Sequence, residues 1–229
     1  MHPSLSVSIA SAVAGAVLGA TGATVPAVAG LGVSAAPADG YRASIETIDT
    51  ATARAMVGVS WHRGCPVPIR DLRRVRLTYW GFDGARHRGQ LIVHKGVARS
   101  VSSIFHRLYT IRYPIKRMLP VDRYRADDNA SMAANNTSAF NCRPITGATR
   151  GFSVHSYGKA IDINTIQNPY VKGTVVQPPA GKTYLNRTRL RPGMIRHGDQ
   201  VWKVFTKHGF TWGGDWKSLK DYQHFEFPV

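Results

Sequence analysis

What most restricts the folding of this chain is a pair of short segments that must meet although roughly sixty residues separate them. One is Ser153-Val-His-Ser-Tyr-Gly-Lys-Ala-Ile-Asp162. The other is Trp212-Gly-Gly-Asp-Trp216 leading into Asp221-Tyr-Gln-His224-Phe-Glu226. His155 and Asp162 are too far apart for one helical face but suit a loop that feeds a strand. Asp162 stands between Ile161 and Ile163, a poor place for a carboxylate unless a cation answers it. Gly158 allows the connecting turn to approach closely, and Ala160 is small enough to sit behind a metal. Two imidazoles and a carboxylate, with water in the fourth position, form the donor set of a catalytic zinc site. We therefore expect His155, Asp162 and His224 to hold one zinc ion, which would bring the pKa of a bound water down to about 7.

The residues around these ligands have chemistry to match. Asp221, three positions before His224, is the expected general base, taking a proton from water and passing it to a leaving amine. Arg143, beside Cys142, is the candidate cation for a tetrahedral intermediate. Asp215 would accept a hydrogen bond from a ligand imidazole, as carboxylates beside metal sites do, with a plain turn role as the alternative. Trp216 and Tyr222 are candidates for a cleft wall, or else core. The remaining histidines, such as His62, His94 and His197, stand outside any such constellation and read as ordinary.

Charge divides the chain. All 30 Lys and Arg, and every acid but Asp39, lie beyond residue 40, within an overall net charge of +17. Such a surplus attracts polyanions. No recognition helix, zinc-finger spacing or RNA-binding motif accompanies it, so a nucleic-acid partner is not expected. An anionic cell wall is the partner of choice. Residues 4–36 are uncharged and rich in Ala, Val, Gly and Ser, with Ala27-Val-Ala29 before Gly30 as a small-residue cleavage site. We expect a signal peptide over 1–29, a linker and first helix over 30–59, and one domain over 60–229. The chain's 2 cysteines, Cys65 and Cys142, then suit one disulfide in an exported protein. Neither belongs to a Cys-x-x-Cys pair, which argues against thiolate zinc.

Periodicity gives the outline. Thr47–Val57 reads as a helix, Arg74–Tyr79 and Gln90–His94 as partner strands about a Phe82-Asp-Gly-Ala85 turn. Val97–Tyr109 sets Val97, Val101, Ile104, Phe105 and Leu108 on one helical face. The polar stretch 127–138 reads as a short helix and a long loop. Strands are expected at Phe140–Ile145, Ala160–Asn164 and His224–Phe227, and a helix at Gly198–His208 that buries Val201, Trp202 and Phe205. Helices mixed with antiparallel strands make an α+β domain.

Ser153-x-His155-x-x-Gly158-x-Ala160-x-Asp162, with Trp212-Gly-Gly-Asp-Trp216 and Asp221-x-x-His224-Phe-Glu226, resembles the zinc D-alanyl-D-alanine carboxypeptidase and L-alanyl-D-glutamate endopeptidase family. That family includes vancomycin-resistance D,D-peptidases and phage endolysins. The likeness is read over roughly residues 60–229. It implies a small antiparallel sheet carrying zinc and flanked by helices, the scaffold shared with hedgehog-type domains. It also implies zinc at His155, Asp162 and His224, a catalytic acid at Asp221, and a substrate contact at Ser153. Arg143 matches the family's arginine. Aspartate rather than glutamate at position 221 resembles the endolysin branch. The expected protein is a secreted or wall-associated, monomeric zinc peptidase acting on peptidoglycan stem peptides. A non-catalytic zinc-containing wall-binding module is the alternative.

Overall fold

The computed structural model describes residues 40–145 and 150–229. The expected leader lies outside them. Among the described residues no helix is long and apolar enough to cross a membrane. The described residues have an α+β architecture, with small antiparallel sheets and four short α-helices among them.

The first sheet is built from β1 (Ala43–Thr47), β2 (Leu72–Trp80) and β3 (Arg86–His94), with β2 in the centre. The expected β2–β3 hairpin forms in the register Leu72 opposite His94 to Trp80 opposite Arg86. β1 departs from expectation. It pairs with β2 from Ala43 opposite Leu77 to Thr47 opposite Arg73, so this stretch belongs to the folded domain and not to a linker. Helix α1 (Thr50–Met56) follows it, capped by the Asp49 side chain on the Thr52 N–H. Arg74 ties strand and helix together by reaching Glu46 at 2.7 Å and Asp49 at 2.8 Å.

Helix α2 (Ala98–Thr110) covers the sheet, and its buried face includes Val101, Ile104, Phe105 and Leu108. Beyond α3 (Asp128–Ala133), the second sheet has the order β4 (Ala160–Asp162), β9 (His224–Glu226), β7 (Thr211–Trp212). Helix α4 (Gln200–Lys207) backs it, burying Val201 and Phe205. Phe205 stacks on Phe225 of β9 with ring centroids 3.9 Å apart. One hydrophobic core thus runs from α2 through Ile161 and Ile163 to α4 and Phe225. The third sheet, in the order β6 (Val175–Gln177), β5 (Tyr170–Lys172), β8 (Lys220–Asp221), was not foreseen.

The segment 140–145 is not the expected strand. It is extended chain held by single contacts: the Phe140 N–H donates to the Ile92 carbonyl, and that of Cys142 to Ser60. It meets β3 only at Ile92 and elsewhere touches turns and loops, so no ladder propagates along it. A disulfide from Cys142 to Cys65 fixes it instead, with the Cα atoms 6.0 Å apart. This bond closes a loop across 77 residues. In the chain-entropy view such a closure stabilises a fold by several kcal/mol. Replacing Cys65 and Cys142 by Ser is expected to cost about 2–5 kcal/mol, read as a lower urea midpoint at unchanged slope.

Candidate metal centre and catalytic cleft

Three elements bring the expected ligands together. Asp162 ends β4 and His224 begins β9, and the antiparallel register sets the two directly opposite each other. Alternation along β9 then does the sorting. Phe225 enters the core, while His224 and Glu226 share the other face. His155 comes from a 3-10 turn, Val154–Tyr157, whose first residue is preceded by the Ser153 cap. Gly158 closes that turn at φ +66°. A Cβ at this glycine would stand 2.6 Å from the His94 backbone nitrogen, so only glycine lets the turn lie against β3. The His94 N–H in turn donates to the Gly158 carbonyl at 2.8 Å.

The ligand atoms converge. His155 Nε2 lies 3.1 Å from His224 Nδ1 and 3.2 Å from Asp162 Oδ2, and His224 Nδ1 lies 3.1 Å from Asp162 Oδ1. All three residues are buried, at 3%, 4% and 6% exposure for His155, Asp162 and His224. Both rings are oriented from behind. His155 Nδ1 lies 2.6 Å from the Ala139 carbonyl, which can only accept, so this nitrogen carries the proton. His224 Nε2 donates to Glu226 Oε2 at 3.0 Å. Two imidazole nitrogens and a carboxylate therefore face one another at the buried end of a cleft. Such a set calls for a cation, and its donors suit zinc.

The electrostatics show how strongly Asp162 draws positive charge to this point. Burial alone would raise the Asp162 pKa, but the two imidazoles outweigh it and hold this carboxyl well below the usual range. Burial would lower His224, but Asp162 and Glu226 outweigh it and push the imidazole up to about 10. The hydrogen bond from His224 keeps Glu226 low.

These residues open onto a cleft of about 370 Å³. Arg143, Ser153, Trp216 and Asp221 line it together with the three ligands. Asp221 is half-buried as a residue, yet its Oδ1 is sealed from solvent without a hydrogen-bond partner. Burial, reinforced by the Asp162 charge, raises its pKa to about 7. A carboxyl poised there can both take and give a proton near neutrality. Arg143 stands on the same wall, bridged to Asp128 at 2.9 Å. The Trp216 ring lies 5.4 Å from that of His224.

Two expectations are corrected. Asp215 does not serve a ligand imidazole. It is exposed and accepts from His197 Nδ1 at 2.8 Å and Trp202 Nε1 at 2.9 Å. Glu226 takes the expected role, and its signal was present as an i, i+2 partner of His224 on a strand. Tyr222 does not line the cleft. Alternation after Asp221 turns it to the core, under the Arg187 guanidinium at 4.4 Å. The cleft tyrosine is Tyr170, which β5 sets opposite Asp221. Asp128, Gln177 and Gln223 also line the cleft without having been foreseen.

Residues 146–227 match the family described as D-alanyl-D-alanine carboxypeptidase. The resemblance read from the two-part motif is thus borne out, over the segment that carries all three ligands and Asp221 rather than from residue 60 onward. No solved structure matches the chain.

Replacing Glu226 by Leu should weaken zinc binding about 10- to 100-fold, read by competition with a chromophoric chelator. Glu226→Gln, which keeps an oxygen able to accept from Nε2, should lose less.

Proposed function

We propose, from the match of residues 146–227 to the family described as D-alanyl-D-alanine carboxypeptidase, that this chain is a zinc metallopeptidase of peptidoglycan stem peptides. One observation carries the proposal: three converging donor atoms share a cleft with a buried, partnerless carboxylate oxygen. His155, Asp162 and His224 would hold the ion. Zinc in such a site supplies Lewis acidity and a water acidic enough to attack at neutral pH.

The chain's own residues do the rest. The Ala139 carbonyl and Glu226 fix the two imidazoles so that the correct nitrogens face the ion. Asp221 takes the proton of the attacking water and returns it to the departing amine. Arg143 offers positive charge on the cleft wall, where a developing oxyanion needs it. Its bridge to Asp128 holds the guanidinium in place. Ser153 and Trp216 are the candidate contacts to the peptide.

Two bonds are compatible with this cleft. The description of the matched family favours removal of a terminal D-Ala, whereas aspartate at position 221 favours a cut between L-Ala and D-Glu. We further propose export, supported by the uncharged leader composition and the single disulfide. Retention on an anionic wall is supported by the net charge of +17.

Defined muropeptides incubated with the protein and resolved by mass spectrometry should show a chelator-sensitive product. Loss of D-Ala would make it a carboxypeptidase, and a cut after L-Ala an endopeptidase. Asp221→Asn should lower kcat at least about 10²-fold while leaving the bound zinc stoichiometry intact. Bound zinc with no product from any stem peptide would move the assignment to a non-catalytic wall-binding module.

A further inference from the structure

Helix α3 has two neighbouring faces in use. Asp128 and Met132, four residues apart, line the catalytic cleft. Asn129 and Ala133, also four apart, line a second groove of about 550 Å³, and Met132 lines both. Gln177 does the same from the opposite side, so the two spaces adjoin across a shared rim.

The second groove follows a strand edge. Val175, Val176 and Gln177 are consecutive and alternate in side-chain direction, yet all three line it. A space touched by successive residues runs along the strand's edge rather than over one face. β6 is the outer strand of its sheet, in the order β6-β5-β8. An outer strand offers backbone donors and acceptors to an extended peptide. The walls add Pro178 and Pro179, and Lys182 is the one charged residue among those lining the groove. Val175 is 50% exposed, an apolar side chain at the rim.

We propose that this groove is an extension of the substrate site, in which the stem peptide continues beyond the residues flanking the scissile bond and lies along the β6 edge. The inference rests on the peptidase reading above. Val, Pro and Ala walls suit alanyl methyls and the aliphatic part of a diamino acid. Lys182 suits a carboxylate of an acidic stem residue. A glycan strand would call for aromatic rings to stack on, and none lines this groove.

The test compares a full stem pentapeptide with N-acetyl-D-Ala-D-Ala and with short L-Ala-D-Glu fragments, in wild type, Ala133→Trp and Lys182→Glu. Ala133 and Lys182 are exposed and stand outside the catalytic cleft. The pentapeptide should have the lower KM in wild type. Each variant should raise the pentapeptide KM about tenfold, the scale of one misfitted group in an apolar pocket, with kcat and short-substrate kinetics unchanged. Variants that act equally on long and short substrates, or on neither, would overturn the extension while leaving the peptidase reading standing. If wild type cleaves nothing, the peptidase reading fails instead. Fluorescence titration of the pentapeptide into chelated wild type and Ala133→Trp then decides the groove: weaker binding by the variant supports it, and equal binding overturns it.

Discussion

Everything at this site depends on one antiparallel register, Asp162 opposite His224. Strand side chains alternate, so a slip of one residue would send Asp162 and His224 into the core and bring Ile161 and Phe225 into the cleft. The core prevents that slip. Phe225 is stacked on Phe205 and Ile161 is fully enclosed, so the apolar half of each strand holds the polar half in place. The same alternation explains why Glu226 reaches the His224 ring. The carboxylate that orients the imidazole is two residues along on the same face.

The third ligand cannot come from that pair of strands, and the fold brings it in by another route. His155 rides on a 3-10 turn lodged between β3 and the extended segment 139–143. The Asn141 N–H donates to the His155 carbonyl at 3.2 Å, and Ser156 Oγ donates to the Arg143 carbonyl at 2.9 Å. The disulfide at Cys142 ties this segment to Cys65, in the chain between α1 and β2. A covalent bond just outside the cleft lining thereby helps hold both the carbonyl that orients His155 and the wall that carries Arg143.

This division marks what was legible in the sequence. Long periodic elements such as α2 and the β2–β3 hairpin were readable because burial imposes a period on many residues at once. The ligands were readable because their chemistry is out of place in strands otherwise built for a core. Short elements were not. β5, β6 and β8 hold two or three residues each and are too brief to show a period. Tyr170 owes its place in the cleft to pairing with Asp221 across fifty residues of chain, a fact of topology that local sequence does not carry. Asp215 misled for the opposite reason. It sits inside a conspicuous motif, but the 3-10 turn at 213–215 directs it outward to His197 and Trp202.

Burial of two carboxylates in one cleft produces opposite outcomes because only one of them is answered. Asp162 has an imidazole at each oxygen, which outweighs its desolvation and keeps it ionised. Asp221 is also desolvated, but it has no hydrogen bond at Oδ1 and the Asp162 charge nearby, so its affinity for a proton rises. The two must diverge in this way if one is to ligate and the other to shuttle protons. A carboxylate that held its proton would ligate a cation weakly, and a base as acidic as Asp162 would have no driving force to take a proton from water. Asp221 obtains its distinct chemistry from a position on β8, across from Tyr170, that places it beside the ligands without hydrogen-bonding to their rings.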